Sequence, residues 1–372
     1  MALTLSAAMK NAGYKVELIT TERPDWRLIR QRIDDTQQVF EREIVIPPFM
    51  QVPGIYSTFL YWLCRDALAT PFLRRRYDLT ITTMSTLPFV FSDILYIHTS
   101  LPVIVSQELH VRWERYSTGL MRAYSFPYKL LIGIFLDLFK SLIQKPILIT
   151  NSKFTRQLIG TYLGTYPLVV YPPVETTKYM TVRHIPKKGN IVLTISRLEE
   201  IKNLSLIPKI ARETKNAKFI ILGSTAAASK GYISQLLREA RAFGVENRIE
   251  VVQNANETSK KEILSRAKIY LHTMPGEYFG ISIVEAMAAG LVPVVHQSGG
   301  PWLDILEESQ GAYGYSYRSV DEAAHIINKL LEKEHERLQV SSRAIERSKL
   351  FDSERFKRSM VRIVHDRLTA GF

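Results

Sequence analysis

A single cysteine, Cys64, occurs in 372 residues. No disulfide can close within the chain and no cysteine-based zinc site is available, so a reducing compartment is the default expectation. Long apolar runs are missing as well. The nearest to a spanning stretch, Tyr128 to Ile143, is interrupted by Asp137 and Lys140 and falls short of the roughly 18 apolar residues that a membrane-crossing helix needs. It reads as a helix that is buried or lies on a surface. The N-terminal MALTLSAAMKNAG has neither the basic flank nor the continuous apolar core of a secretion signal. Acidic residues are outnumbered, 36 against 49 basic ones, for a formal charge of +13. The excess is spread along the chain, 19 basic against 13 acidic residues up to position 170 and 30 against 23 beyond it. Such a surface attracts anions: nucleotide diphosphates, nucleic acid or acidic lipid headgroups. What is present is ordinary globular material, 46% hydrophobic and 23% charged, enough for two or three domains and incompatible with a disordered or fibrous chain.

Short apolar runs alternate with amphipathic segments, the pattern of β-α-β units and parallel sheets. Strands are expected at Tyr14 to Thr20, Leu79 to Thr83, Ile94 to His98 and Ile147 to Thr150. A more regular set follows at Asn190 to Ile195, Lys218 to Leu222, Ile249 to Val252, Ile269 to His272 and Val292 to His296. The fold class is α/β, with two Rossmann-like domains. The Pro-bearing, basic stretch between them places a linker at 171–189, with the first domain at 1–170 and the second at 190–350. Residues 351–372 are expected to form a helix crossing back to the first domain.

Three segments carry candidate chemistry. In HTMPGEYFGISIVEAMAAG, Gly276 and Gly280 flank a loop after a strand, and a helix from Ile281 ends at Gly290. A helix N-terminus there is an anion site. Glu277 in the loop and Glu285 in the helix are placed to face one cleft at different depths, and carboxylates accept from sugar or ribose hydroxyls. The simpler reading is that both offset the helix dipole. In SRLEEIKN, Arg197 and Lys202 flank a strand-to-helix turn, where ligands of open α/β sheets bind; two cations there suit a diphosphate. The alternative is a solvated loop in which they pair with Glu199 and Glu200. In VVHQSGGPWLDI, Ser298, Gly299 and Gly300 follow a strand, either letting backbone approach a ligand or forming a plain turn. His98 ends a strand in YIHTSLP, where a histidine is either structural or a site residue.

Together, and in this order, EYFGISIVEAMAAGLVPV with its E-x7-E pair, SRLEEIKN, NSKFT (151–155) and VYPPVE (170–175) resemble the retaining family 4 glycosyltransferases of GT-B fold. Within that family, LHTMPGEYFGISIVEAMAAG, HQSGGPWLDI and YIHTSLP look most like the α-1,2-mannosyltransferases that extend dolichol-diphosphate-linked oligosaccharides from GDP-mannose. The resemblance implies an acceptor-binding N-terminal domain and a nucleotide-sugar-binding C-terminal one. It implies Arg197 and Lys202 on the donor diphosphate, Glu285 on the ribose hydroxyls and Glu277 on the transferred sugar. Backbone N–H groups of Phe279, Gly280 and Ile281, with Ser298 to Gly300 beside them, would meet the donor, and His98 would reach the reaction centre. Catalytic roles would fall to Glu277, His98, Arg197 and Lys202. Retention in the family is attributed to same-face attack, with the leaving diphosphate helping to deprotonate the acceptor. No cofactor or metal is implied: no D-x-D motif occurs, and Arg197 and Lys202 supply the positive charge.

Family members begin with a strand and a glycine-rich loop before the helix that here ends at Gly13. Either the natural start lies upstream of Met1 or the N-terminal sheet lacks its first strand, which would favour low activity or dependence on a partner. The expected acceptor is a lipid-linked glycan and the expected place the cytoplasmic membrane face, with peripheral association through Ile55 to Leu63, Arg74 to Arg76 and Tyr128 to Ile143. Rival readings are a partner-dependent nucleotide-sugar-binding subunit and a family 4 enzyme using a UDP-sugar for polysaccharide. Nucleic acid is not expected as a partner, since that reading rests on charge alone.

Overall fold

The parallel β-α pattern is realised in a computed structural model that describes residues 1–20, 22–26, 29, 39–46, 75–83, 92–98, 146–183, 189–225 and 229–370. Every strand pairing among the described residues is parallel. The chain divides into two units, Met1–Tyr171 with Phe356–Phe372, and Pro172–Arg355.

In the first unit, α1 (Ala2–Asn11) leads into β1 (Glu17–Thr20), which pairs with β2 (Arg42–Val45). A separate four-stranded sheet runs in the order β3 (Ile81–Thr82), β4 (Ile94–Ile97), β5 (Ile147–Thr150), β6 (Leu168–Val169). β4 is buried on both faces, as a run of Ile-Leu-Tyr-Ile in a parallel sheet should be. The NSKFT element does its local work at the end of β5. The Ser152 hydroxyl caps α2 (Lys153–Leu163) by accepting from the Thr155 N–H. Asn151 donates through Nδ2 to the His98 carbonyl at 2.7 Å and accepts from the Thr155 hydroxyl, which ties the ends of β4 and β5 together.

The second unit begins with α3 (Thr176–Met180), then β7 (Ile191–Arg197), a 3₁₀ turn over Glu200–Lys202, α4 (Leu206–Glu213), β8 (Lys218–Ser224), α5 (Ser229–Ala242) and β9 (Ile249–Gln253). There follow α6 (Glu257–Arg266), β10 (Ile269–His272), α7 (Ile281–Ala288), β11 (Val292–His296), a π-helical turn at Pro301–Ile305 and β12 (Tyr315–Tyr317). α8 (Val320–Glu332) and α9 (Glu334–Ser348) complete it. Its sheet order is β12-β11-β10-β7-β8-β9, the doubly wound order whose direction of winding reverses between β7 and β10. Ligands of such sheets bind outside the carboxyl ends of the strands at that reversal. The core beneath is built from the inward residues of the central strands, among them Val192, Phe219, Ile221, Leu271 and Val294, against α4, α5 and α8.

Of the stretch expected to be a linker, residues 172–183 are built into this second unit: Val174 is 1% exposed and bridges to Asp352. The final helix, α10 (Ser353–Thr369), places Phe356, Met360 and Val364 in one apolar cluster with Leu5, Met9, Tyr96 and Ile149 of the first unit. Three of the described strands were not foreseen: β2, β6 and β12. Two are only two or three residues long, and β2 carries Arg42 and Glu43 on exposed positions, so none presents the apolar run that marks a strand in sequence.

Candidate functional site

At the reversal point, hydrogen bonds lock the two loops and the helix that carry the candidate residues. The Thr273 hydroxyl, just past β10, donates to the Lys202 carbonyl at 2.7 Å, joining the loop after β10 to the turn after β7. Tyr270 is fully buried; its hydroxyl donates to the Ile195 carbonyl and lies 2.7 Å from the Ser282 hydroxyl, which pins the first turn of α7 to the end of β7. The N–H groups of Ile281 and Ser282 open this helix and have no partner inside it. Gly280, at its N-cap, has φ +99°, a conformation that a side chain would strain.

Glu277 lies in the loop before α7. Its Oε2 accepts from Lys202 Nζ at 2.6 Å, and His272 Nε2 is 3.5 Å away. Burial by itself would raise the carboxyl, but the bond and charge of His272 and the adjacent Lys202 ammonium outweigh it and hold the group down at about 2. Glu277 is therefore an anion at any working pH. Lys202 also contacts the Met274 sulfur at 3.2 Å. Arg197 stands apart: its guanidinium is 62% exposed and pairs with Glu199 at 3.0 Å, the partner that the solvated-loop reading named. The two cations of SRLEEIKN thus have different lives, one buried against the candidate carboxylate and one at the surface.

Ser298, Gly299 and Gly300 brace the same loop. The Ser298 hydroxyl accepts from the Gly276 N–H at 2.8 Å and bonds to His296 Nδ1, and Gly300 N–H donates to the Glu277 carbonyl at 2.8 Å. A Cβ at Gly299 would strike the Glu277 backbone, and one at Gly300 the Tyr278 carbonyl. Both glycines therefore pack backbone against backbone on the Glu277 loop, where a side chain would not fit. Phe279 is buried, its ring edge-on to Phe351 at 5.4 Å, whereas Ile281 is half exposed.

Glu285, one turn into α7, sits in a second cluster. Its Oε2 accepts from Lys260 Nζ at 2.8 Å, and the Tyr179 hydroxyl oxygen lies 3.1 Å from its Oε1. Glu257 is nearer to that hydroxyl, at 2.8 Å. Burial, the Glu285 charge and the bond to Glu257 push the phenol far above its ordinary range, so it stays protonated. His98 belongs to the first unit, at the carboxyl end of β4. Its Nε2 donates to the Thr83 carbonyl at 3.1 Å, and burial lowers it to about 4, so the ring is neutral at pH 7 with Nδ1 unprotonated.

Sequence reasoning missed His272, Lys260 and Tyr179. His272 had a signal, being the last residue of a strand directly before the glutamate loop. Lys260 and Tyr179 had none: one lies in a charged helix and the other in the supposed linker. The expected membrane-contacting segments, Ile55 to Leu63, Tyr128 to Ile143 and Arg74, lie outside the described residues. Among those that are described, no helix is long and apolar enough to cross a membrane.

Residues 175–347 match the family described as Glycosyl transferases group 1. A mouse protein named GDP-Man:Man(3)GlcNAc(2)-PP-Dol alpha-1,2-mannosyltransferase is 30% identical over 231 residues, 57% of this chain and 46% of that protein. The chain spans just under half the length of this relative. Among solved structures, WaaG, a glycosyltransferase involved in lipopolysaccharide biosynthesis, superimposes with a TM-score of 0.69 at 14% identity over 100% of this chain and 95% of WaaG. Anabaena HepE, solved in complex with UDP and glucose, gives 0.65 at 16% identity over 98% of this chain and 95% of its own. With its doubly wound second unit and its motifs at the reversal point, the chain carries a glycosyl transferases group 1 domain over residues 175–347 and has the GT-B fold.

Proposed function

We propose that this protein is a retaining glycosyltransferase that moves mannose from GDP-mannose onto a lipid-linked oligosaccharide at the cytoplasmic face of a membrane. The observation that carries the reading is the Glu277 carboxylate, kept ionised by Lys202 and His272 beside the N-terminus of α7 at the reversal of the sheet. The name of the mouse relative supports the choice of donor and acceptor.

In this reading the donor diphosphate lies against the first N–H groups of α7, with Arg197 and Lys202 at its oxygens. An ammonium has three donors. One from Lys202 holds Glu277 and a second meets the Met274 sulfur, which leaves a third for phosphate, so the same cation fixes the carboxylate and balances charge that grows on the leaving group. Glu277, an acceptor with spare lone pairs, takes hydroxyls of the sugar and stabilises positive charge developing at its anomeric carbon. Glu285 takes the ribose hydroxyls. The acceptor hydroxyl attacks from the face the diphosphate leaves and gives its proton to a phosphate oxygen. His98, neutral and with Nδ1 unprotonated, is a hydrogen-bond acceptor at the end of β4.

The test is turnover of GDP-, UDP- and ADP-sugars by the purified chain with a short polyprenyl-diphosphate glycan as acceptor. Transfer from GDP-mannose alone is expected. Transfer from a UDP-sugar instead would replace the donor, and absence of turnover with every donor would overturn the reading.

A further inference from the structure

Glu285 is met by residues of two other helices. Its side chain and that of Lys260 are each 15% exposed, and they meet at 2.8 Å. Lys260, in α6, spends a second donor on the Tyr179 oxygen at 2.8 Å and lies 4.7 Å from the centre of that ring. Tyr179, in α3, has Glu257 at 2.8 Å and Glu285 at 3.1 Å. A phenol has one proton and can give it to only one of the two carboxylates, and Glu257 is the nearer. Glu257 has a further cation 3.7 Å away in Lys178. The steady partner of Glu285 is therefore Lys260.

An ionised carboxylate offers about four lone-pair positions. Lys260 and Tyr179 occupy at most two, which leaves two for incoming hydroxyls. A vicinal diol presents two O–H groups side by side and fits that remainder. Without Lys260 the carboxylate would lose the cation that fixes its place and could rotate away.

We propose that Lys260, and Tyr179 through the bond that its oxygen accepts from Lys260, are positioning residues that hold the Glu285 carboxylate in place for the ribose diol of the nucleotide donor. This rests on the reading that Glu285 receives the ribose. It assigns the helix after β9 and the segment after Tyr171 a part in nucleotide recognition through Glu285.

The experiment is calorimetric titration of the full chain with GDP, UDP and the 2′,3′-dideoxy form of each, for the wild type and for Glu285→Gln, Lys260→Met, Lys260→Arg and Tyr179→Phe. The wild type is expected to prefer the ribonucleotide by about tenfold or more, the scale of hydrogen bonds to a charged group. Lys260→Met should collapse that preference while affinity for the dideoxy form stays within about twofold. Lys260→Arg should restore most of it, and Tyr179→Phe should lose about threefold. A merely structural role would weaken both forms alike, or lower thermal stability without changing the ratio, and that result overturns the proposal. If Glu285→Gln removes the preference while Lys260→Met and Tyr179→Phe keep it, the positioning role falls and the ribose reading stands. If Glu285→Gln retains the preference, or the wild type shows none, both fall. Should Lys260→Met fail to fold, Lys260→Arg and Tyr179→Phe decide the matter by the same ratio.

Discussion

Replacing Glu277 separates chemistry from stability, because the proposed mechanism gives it a part in the first and its pairing with Lys202 a part in the second. Its side chain is 16% exposed and that of Lys202 14%, so Glu277→Ala leaves an ammonium mostly out of water without its partner. Breaking a buried pair from one side costs about 3–5 kcal/mol. A carboxyl held at about 2 against an ordinary 4.5 corresponds to about 3 kcal/mol in favour of the ionised form, the same scale. Thermal unfolding of the second unit should therefore drop by about 10 °C in Glu277→Ala. The contribution is in full force above pH 4.5 and fades as pH falls toward 2, so acid unfolding of the wild type should converge on that of the variant. Glu277→Gln keeps an acceptor for Lys202 and should lose only about 1–2 kcal/mol. Both variants should lose transfer by at least about a hundredfold, the scale of removing one aligned electrostatic group from a reaction centre, while nucleotide binding largely survives. The assays are differential scanning fluorimetry, calorimetric titration with GDP and transfer to the lipid-linked acceptor. A folded Glu277→Gln variant with full turnover would refute the role given to the carboxylate.

Three further outcomes follow from the same geometry. Arg197→Ala removes an exposed pair and should leave stability within about 1 kcal/mol, whereas Lys202→Met strands Glu277 and should cost about 3 kcal/mol; both should weaken GDP binding, read by titration and urea unfolding. Gly300→Ala should destabilise by about 3 kcal/mol, since its Cβ meets the Tyr278 carbonyl and the Phe279 backbone; a neutral result in urea unfolding would count against the packing described. His98 is lowered from 6.5 to about 4 by burial, so the unfolded chain binds more protons in that interval. Its contribution is complete above pH 6.5 and is lost as pH falls toward 4, by about 3 kcal/mol, and His98→Gln should flatten that part of the pH-stability curve.

The parallel fold was legible because its central strands are apolar runs: Ile269–His272 and Val292–His296 were placed to the residue. The helix from Ile281 was legible from Gly280 and Gly290, both at positive φ. Short or polar strands such as Tyr315–Tyr317 carry too little pattern to be seen, and they form because a neighbouring strand offers an open edge. At the site, sequence order brought Arg197, Lys202, Glu277 and Glu285 to notice but not their pairings. That Lys202 meets Glu277, 75 positions away, is set by the reversal of strand order between β7 and β10, which no local spacing records. Lys260 and Tyr179 converge on Glu285 from 25 and 106 positions away for the same reason.

Retaining transfer at a carboxylate-and-lysine centre would show in the anomeric configuration of the product. With GDP-α-mannose and a short polyprenyl-diphosphate glycan, NMR of the isolated product should show a new α-linked mannose, and Glu277→Gln should form none above background. A β-linked product, or α-linked product at the wild-type rate from the variant, would contradict it.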